Sequence, residues 1–209
     1  MADSAYLAGL TIQNAGAALD GAPRHSAMVR VTHWVNTLSF FCLLVSGIAI
    51  ILAHPRFYWG ETGGVGGPSL FDLPLPFVLV GQTGWGRYLH FQSAWLFVVT
   101  GLLYVISGLL THHFREGMST WNAVQRLTYL GVVFLLAPLM IWTGLAMSPA
   151  ITSVFPALVT GLGGQQSART IHFFAAAFLV LFLLVHITMV YRAGLRNRVQ
   201  AMITGKDRI

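Results

Sequence analysis

The 209 residues are 56% hydrophobic and 9% charged, with a net charge of +6. Soluble domains carry about 25% charged residues, so the composition excludes an ordinary soluble globule. A single cysteine, Cys42, set in an apolar run, excludes a disulfide framework and a cysteine-built metal site.

Residues 1–23 hold Asp3 and Asp20 and lack a basic segment ahead of a short apolar core, so they read as a tail rather than a cleaved signal. Four apolar runs follow, at about residues 31–53, 88–110, 127–147 and 171–191. A helix needs about 20 residues to cross ~30 Å of hydrocarbon, and only helices and closed barrels satisfy their own backbone there. The expected fold class is therefore all-α and integral to the membrane, a four-transmembrane-helix bundle over residues 24–192, followed by a basic tail at 193–209. The connection at 54–87 is long and rich in glycine and proline. Its piece LFDLPLPFVLVG is apolar but too short to span, and Trp59, Tyr58 and Trp85 suit a headgroup layer. A docking surface for an external partner is the preferred reading. The connection at 148–168 is shorter, and the one at about 111–126 joins the second and third runs.

The basic residues are distributed unevenly. Arg24, Arg30, Arg115, Arg126, Arg192, Arg196, Arg198, Lys206 and Arg208 fall on one side of this topology, and Arg56, Arg87 and Arg169 on the other. That is the positive-inside pattern, which predicts cytoplasmic termini. It makes the charge a determinant of topology, not a nucleic-acid surface.

Four histidines lie in or at the edge of the apolar runs: His33, His90, His172 and His186. Ionisable groups in a bilayer are costly and point to function. Fourteen residues separate His172 from His186, which turns a helix to about 40° short of four full turns and moves about 21 Å along its axis. They thus share a face at two depths. The topology places His33 level with His186 and His90 level with His172, one pair per leaflet. Two imidazoles facing across a gap suit the axial positions of haem b iron. The expected cofactors are two haem b groups, an inner one on His33 and His186 and an outer one on His90 and His172. Arginine precedes three of these histidines by three residues, in RVTH, RYLH and RTIH, so Arg30, Arg87 and Arg169 are candidates for haem propionates. Gly47 lies fourteen residues after His33, at the outer level, where a glycine admits a bulky ring. Gly101 and Gly108 admit either that reading or close helix packing. His25 and His54 read as interfacial. His112 and His113 read as solvated or proton-handling groups, and His112 is an alternative inner ligand.

With RVTHWVN, SGIAI, GRYLHFQSAW, NAVQRLTYLGV and IHFFAAAFLVLFLLVH, the chain resembles the bacterial di-haem cytochrome b membrane subunits that anchor formate dehydrogenase and nickel-iron hydrogenase. AHPRFYWGE resembles the thiosulfate-reductase type of that family more closely still. The resemblance covers most of residues 24–192. It implies the four histidines as ligands, the bacterial inner membrane, a quinone site at the inner haem and a periplasmic, molybdopterin-dependent partner subunit. It puts Asn122, Gln125 and Arg126 of NAVQR near the quinone, with His186 nearby.

The expected function is electron transfer between that external oxidoreductase and the quinone pool, with no catalytic residue of its own. Proton uptake at His112, His113 or Glu116 would make it electrogenic. One alternative is a stand-alone oxidoreductase that passes electrons from superoxide or another small molecule to quinone. It would need a basic funnel outside, and only three arginines lie there. A metal or proton transporter would need polar residues along a path, and the apolar runs hold almost no carboxylates or amides.

Overall fold

The computed structural model describes residues 26–62, 67–75, 78, 83–111 and 123–206. Four helices are long and apolar enough to cross a membrane: α1 (Ala27–Ala53), α2 (Thr83–Leu110), α3 (Ala123–Ala146) and, after two single-turn helices α4 (Pro149–Thr152) and α5 (Ala157–Thr160), α6 (Gln165–Arg192). A further helix, α7 (Leu195–Thr204), follows. Each spanning helix starts four to six residues before the edge that hydropathy marks. The extra turns carry polar residues such as Gln165, Ser167 and Arg169, which lower hydropathy without opposing helix formation.

The chain forms two compact units, one containing the segments up to Trp34 and from Ile187, the other spanning Val35–His186. In the first unit, the Arg30 guanidinium donates to the Ile203 carbonyl at 2.8 Å, and the Trp34 indole donates to the Met202 carbonyl at 3.0 Å. These bonds satisfy carbonyls of the last turn of α7, which a helix leaves orphaned. Glycines bracket α7, Gly194 (φ +93°) and Gly205 (φ +83°), in backbone conformations that favour residues without a Cβ. A helix thus occupies much of the segment that composition alone marks as a basic tail.

In the second unit, large apolar side chains such as Leu38, Val45, Trp95, Leu102, Phe178 and Leu181 stand exposed along the helices, as lipid-facing residues do. Small residues let helices approach. A Cβ at Gly86 of α2 would lie 3.3 Å from the Ala49 Cβ of α1. A Cβ at Gly101 would meet no described residue of another helix within 4 Å. Helix α3 carries a π-helical stretch, Val132–Leu136, in which the Ala137 N–H reaches the Val132 carbonyl. Pro138 explains it: the residue has no N–H to donate and its ring crowds the carbonyl four residues back, so the helix widens just before it.

The α1–α2 connection is folded onto the start of α6. Strands β1 (Arg56–Phe57) and β2 (Phe71–Asp72) pair antiparallel, Arg56 opposite Asp72 and Phe57 opposite Phe71. Phe57 is 1% exposed and its ring stacks on Phe71 at 4.7 Å and packs against Phe173 of α6 at 4.6 Å. The Gly60 carbonyl accepts the Gln166 N–H at 3.0 Å, the Gly60 N–H donates to Ser167 Oγ at 2.8 Å, and Thr170 Oγ1 donates to the Tyr58 carbonyl at 2.7 Å. Residues 76–77 and 79–81 of LFDLPLPFVLVG lie outside the described residues, and its Phe71 and Asp72 form strand.

Candidate haem-binding site

His90 of α2 and His172 of α6 face each other, their ring centroids 6.2 Å apart and their planes inclined by 60°. Each ring rests on the helix that precedes its own. His90 Nδ1 is 2.9 Å from Ser46 Oγ of α1, and His172 Nδ1 is 2.8 Å from Thr143 Oγ1 of α3. Both hydroxyls are fully buried, at 0% exposure, so water does not compete for them.

An imidazole that offers Nε2 to a metal carries its proton on Nδ1. In that tautomer the hydroxyl oxygens accept from Nδ1–H, and each hydroxyl has a carbonyl to take its own proton: Ser46 Oγ lies 2.7 Å from the Cys42 carbonyl, and Thr143 Oγ1 lies 2.8 Å from the Leu139 carbonyl. The surroundings of both rings thus suit a free lone pair on Nε2. Two metal–imidazole bonds of about 2 Å, plus about 1 Å from each nitrogen to its ring centre, require centroids roughly 6 Å apart. The observed separation meets this. Haem provides four further nitrogens for the iron, and among the described residues no group of three or more His, Cys, Asp or Glu gathers to hold a bare ion. The residues present fit the cofactor.

Glycines complete the seat. A Cβ at Gly47 would stand 3.8 Å from His90 Cε1, and one at Gly144 would stand 3.7 Å from His172 Cε1. Cε1 adjoins Nε2, so both helices leave their side-chain space beside the ligating edge. Gly47 lies at the level the sequence assigns it. Ser46, Thr143 and Gly144 were not singled out by the sequence reading. Their signal is an echo between helices: SGIAI at 46–50 and TGLAM at 143–147 set a hydroxyl and a glycine side by side.

The other candidate residues are placed as follows. Arg169 donates through Nη1 to the Arg56 carbonyl at 3.0 Å and through Nη2 to the His54 carbonyl, and its Cζ sits 4.9 Å over the Phe57 ring. It clamps the α1–α2 connection. Arg87 is exposed in the first turns of α2. Arg30 binds α7 through Nη1, while its buried Nε has no partner among the described residues. His33 packs edge-on against Trp34 at 5.5 Å, and His186 stacks on Phe182 at 5.7 Å. These two histidines belong to different units. Gln125 and Arg126 begin α3, Arg126 exposed, and Asn122 lies outside the described residues, as do His112, His113 and Glu116.

The model of a known family, the prokaryotic cytochrome b561 proteins, matches residues 24–205. The chain belongs to this family. It is 30% identical over 87% of its length, and 96% of the relative's, to a putative protein-methionine-sulfoxide reductase subunit, YedZ1, of Azospira oryzae. It is 25% identical over 87% of its length, and 84% of the relative's, to a probable Ni/Fe-hydrogenase B-type cytochrome subunit of Cupriavidus necator. This cytochrome b561 protein is accordingly a haem b-binding, multi-pass subunit of the bacterial inner membrane, of the kind associated with oxidoreductases.

Proposed function

We propose that this protein is a di-haem electron-transfer subunit that carries electrons across the membrane between an external oxidoreductase and quinone. The observation that carries the reading is the His90–His172 pair, with Nδ1 of each ring turned to a buried hydroxyl and the ring centres 6.2 Å apart. When bound, haem b supplies a one-electron iron couple whose potential depends on axial ligands, hydrogen bonding and burial. His90 and His172 would hold it through their imidazoles. Gly47 and Gly144 leave room at the ligating edge, and the apolar faces of the helices exclude water.

A second haem on His33 and His186 rests on the sequence alone, one histidine near the start of α1 and one fourteen residues beyond His172. Asn122, Gln125 and Arg126 of NAVQR are the proposed quinone contacts, as the family resemblance implies, and Gln125 and Arg126 lie in the first turn of α3. Positive-inside charge puts the termini in the cytoplasm and the α1–α2 connection in the periplasm. Trp59 and Leu70 of that connection are 59% and 57% exposed and offer apolar anchors for a redox partner. Arg87 is the residue best placed for a propionate on that side. Both relatives are named as subunits of redox enzymes, which supports an external partner. That the partner depends on molybdopterin rests on the resemblance of AHPRFYWGE alone, and molybdenum analysis of the co-purified complex tests it.

Reduced-minus-oxidised spectra with haem quantitation test the core of the reading. Two haem b per chain are expected. His90→Ala and His172→Ala should remove one and the same component, and His33→Ala and His186→Ala the other. One haem in the wild type, or a component shared by His33 and His90 variants, refutes it.

A further inference from the structure

We propose that Ser46 and Thr143 are positioning residues that hold the His90 and His172 imidazoles in the Nδ1–H tautomer and lower the reduction potential of the iron group between them. The proposal rests on the haem reading of that pair. Neither hydroxyl touches the cofactor; each acts through its histidine.

Each hydroxyl has two carbonyls for its single proton. Ser46 Oγ has Cys42 at 2.7 Å and Leu43 at 3.1 Å, and Thr143 Oγ1 has Leu139 at 2.8 Å and Met140 at 3.1 Å. Each ring also bonds one of these carbonyls, His90 that of Leu43 and His172 that of Met140, so in the Nδ1–H tautomer the hydroxyl oxygen is a further acceptor toward the ring. An imidazole whose N–H is held by an acceptor gains imidazolate character and donates more charge through Nε2. That favours the oxidised, more positive iron and lowers the potential. The low dielectric of the membrane strengthens the effect, since buried hydrogen bonds are not attenuated by water. The device occurs twice, on different helices, with the same order of residues: hydroxyl, then glycine, at 46–47 and at 143–144. Helix packing alone would need small residues at these positions. It would not need an oxygen at hydrogen-bond distance from each Nδ1.

Optical redox titration of the purified full chain tests the proposal. The relevant component is the one that His172→Ala removes. Thr143→Val keeps the shape and deletes the acceptor, whereas Thr143→Ser keeps the acceptor and deletes a methyl. Ser46→Ala and Ser46→Thr make the matching pair on the other ring. In Thr143→Val and Ser46→Ala the component should shift toward the reduced state by roughly tenfold in its equilibrium constant, ~59 mV for one electron. Thr143→Ser and Ser46→Thr should stay near the wild type. Haem retained in Thr143→Ser but lost in Thr143→Val also supports the assignment, because second-shell losses cost 10–100-fold in metal affinity. The proposal is overturned if full haem content accompanies an unmoved potential, or if the Val and Ser variants shift, or lose haem, alike. A wild-type chain without haem b bands overturns the haem reading and this proposal together.

Discussion

Replacing Gly164 with alanine should loosen the α1–α2 connection by a steric effect whose size the structure bounds. Gly164 has φ +117°, and a Cβ there would fall 2.6 Å from the Glu61 nitrogen and closer still to the Gly60 carbonyl group. These are backbone atoms, so no side chain can rotate away. Overpacking of this kind costs about 1–3 kcal/mol, and a left-handed backbone adds roughly 1–2 kcal/mol for any residue with a Cβ. Gly163 is the natural control. It has φ +78°, and its Cβ would stand 3.7 Å from Ser167 Oγ, an ordinary contact. Gly163→Ala therefore carries the backbone cost without the clash. The difference between the two variants is the steric part, and at about 2–4 °C per kcal/mol for a chain of this size it should separate their unfolding midpoints by about 5 °C. Thermal unfolding in detergent reads the midpoint. Limited proteolysis reads the connection itself, because the clash displaces Gly60 from the Gln166 and Ser167 amides it binds at 3.0 and 3.4 Å. Equal midpoints for the two variants would refute the view that the connection is pinned to α6 by backbone contact.

Other perturbations separate cofactor binding from folding. Gly47→Ala and Gly144→Ala place a methyl at ordinary contact distance from the histidine rings and gain up to about 1 kcal/mol of helix propensity, so the polypeptide should be as stable as wild type while haem content at the His90 site falls; spectra and unfolding midpoints measured on the same sample check this. Arg169→Lys loses a fork that bridges the His54 and Arg56 carbonyls over the Phe57 ring, and should cost on the order of 1–3 kcal/mol by chemical denaturation, with the same rise in proteolysis of the connection as Gly164→Ala. Burial lowers the His54 pKa, and the Arg169 and Arg87 cations push it the same way. The unfolded chain protonates this group near 6.5, so its contribution to stability is complete above about pH 6.5 and is lost as pH falls through the lower folded-state value. His54→Gln should flatten the dependence of the midpoint on pH below about 6.5, and an unchanged slope would exclude this histidine as its source.

Legibility of the sequence divided along physical lines. The spanning helices were legible because hydrocarbon imposes a length and an apolar composition that few other structures share. Their true starts were not, since polar first turns such as Gln165–Arg169 are helical for reasons that hydropathy does not measure. The same holds for α7, whose glycine caps and contacts to Arg30 and Trp34 depend on tertiary placement. Histidines were legible as a group because imidazoles in lipid demand an explanation. Ser46 and Thr143 escaped notice because a hydroxyl can return its proton to the carbonyl four residues back, so serine and threonine are unremarkable in membrane helices. Only the placement of His90 and His172 brings these two oxygens to hydrogen-bond distance of an imidazole. Arg169 shows what local spacing cannot reveal: Nη1 and Nη2 are engaged by carbonyls of a connection more than 100 residues earlier in the chain.

The same fourteen-residue step runs through all four spanning helices. It relates His33 to Gly47, His90 to Tyr104, Tyr129 to Thr143 and His172 to His186, about 21 Å and four turns where the helix is regular and less between Tyr129 and Thr143, where α3 is π-helical over Val132–Leu136. At one level the step gathers Gly47, His90, Thr143 and His172, which contact one another as described. At the other level, α2 and α3 present not a ligand and its acceptor but two phenols, Tyr104 and Tyr129, whose hydroxyls meet at 2.5 Å. Equal spacing on every helix therefore yields two levels of unequal chemistry. A ring at the first level rests on aliphatic hydroxyls whose protons are committed to backbone carbonyls, which suits holding an electron carrier in a fixed state of ligation. Of two phenols in mutual contact, one donates to the other, an arrangement that the first level does not repeat. The backbone repeat sets where the two levels lie, and the side chains placed on it decide what each level can do.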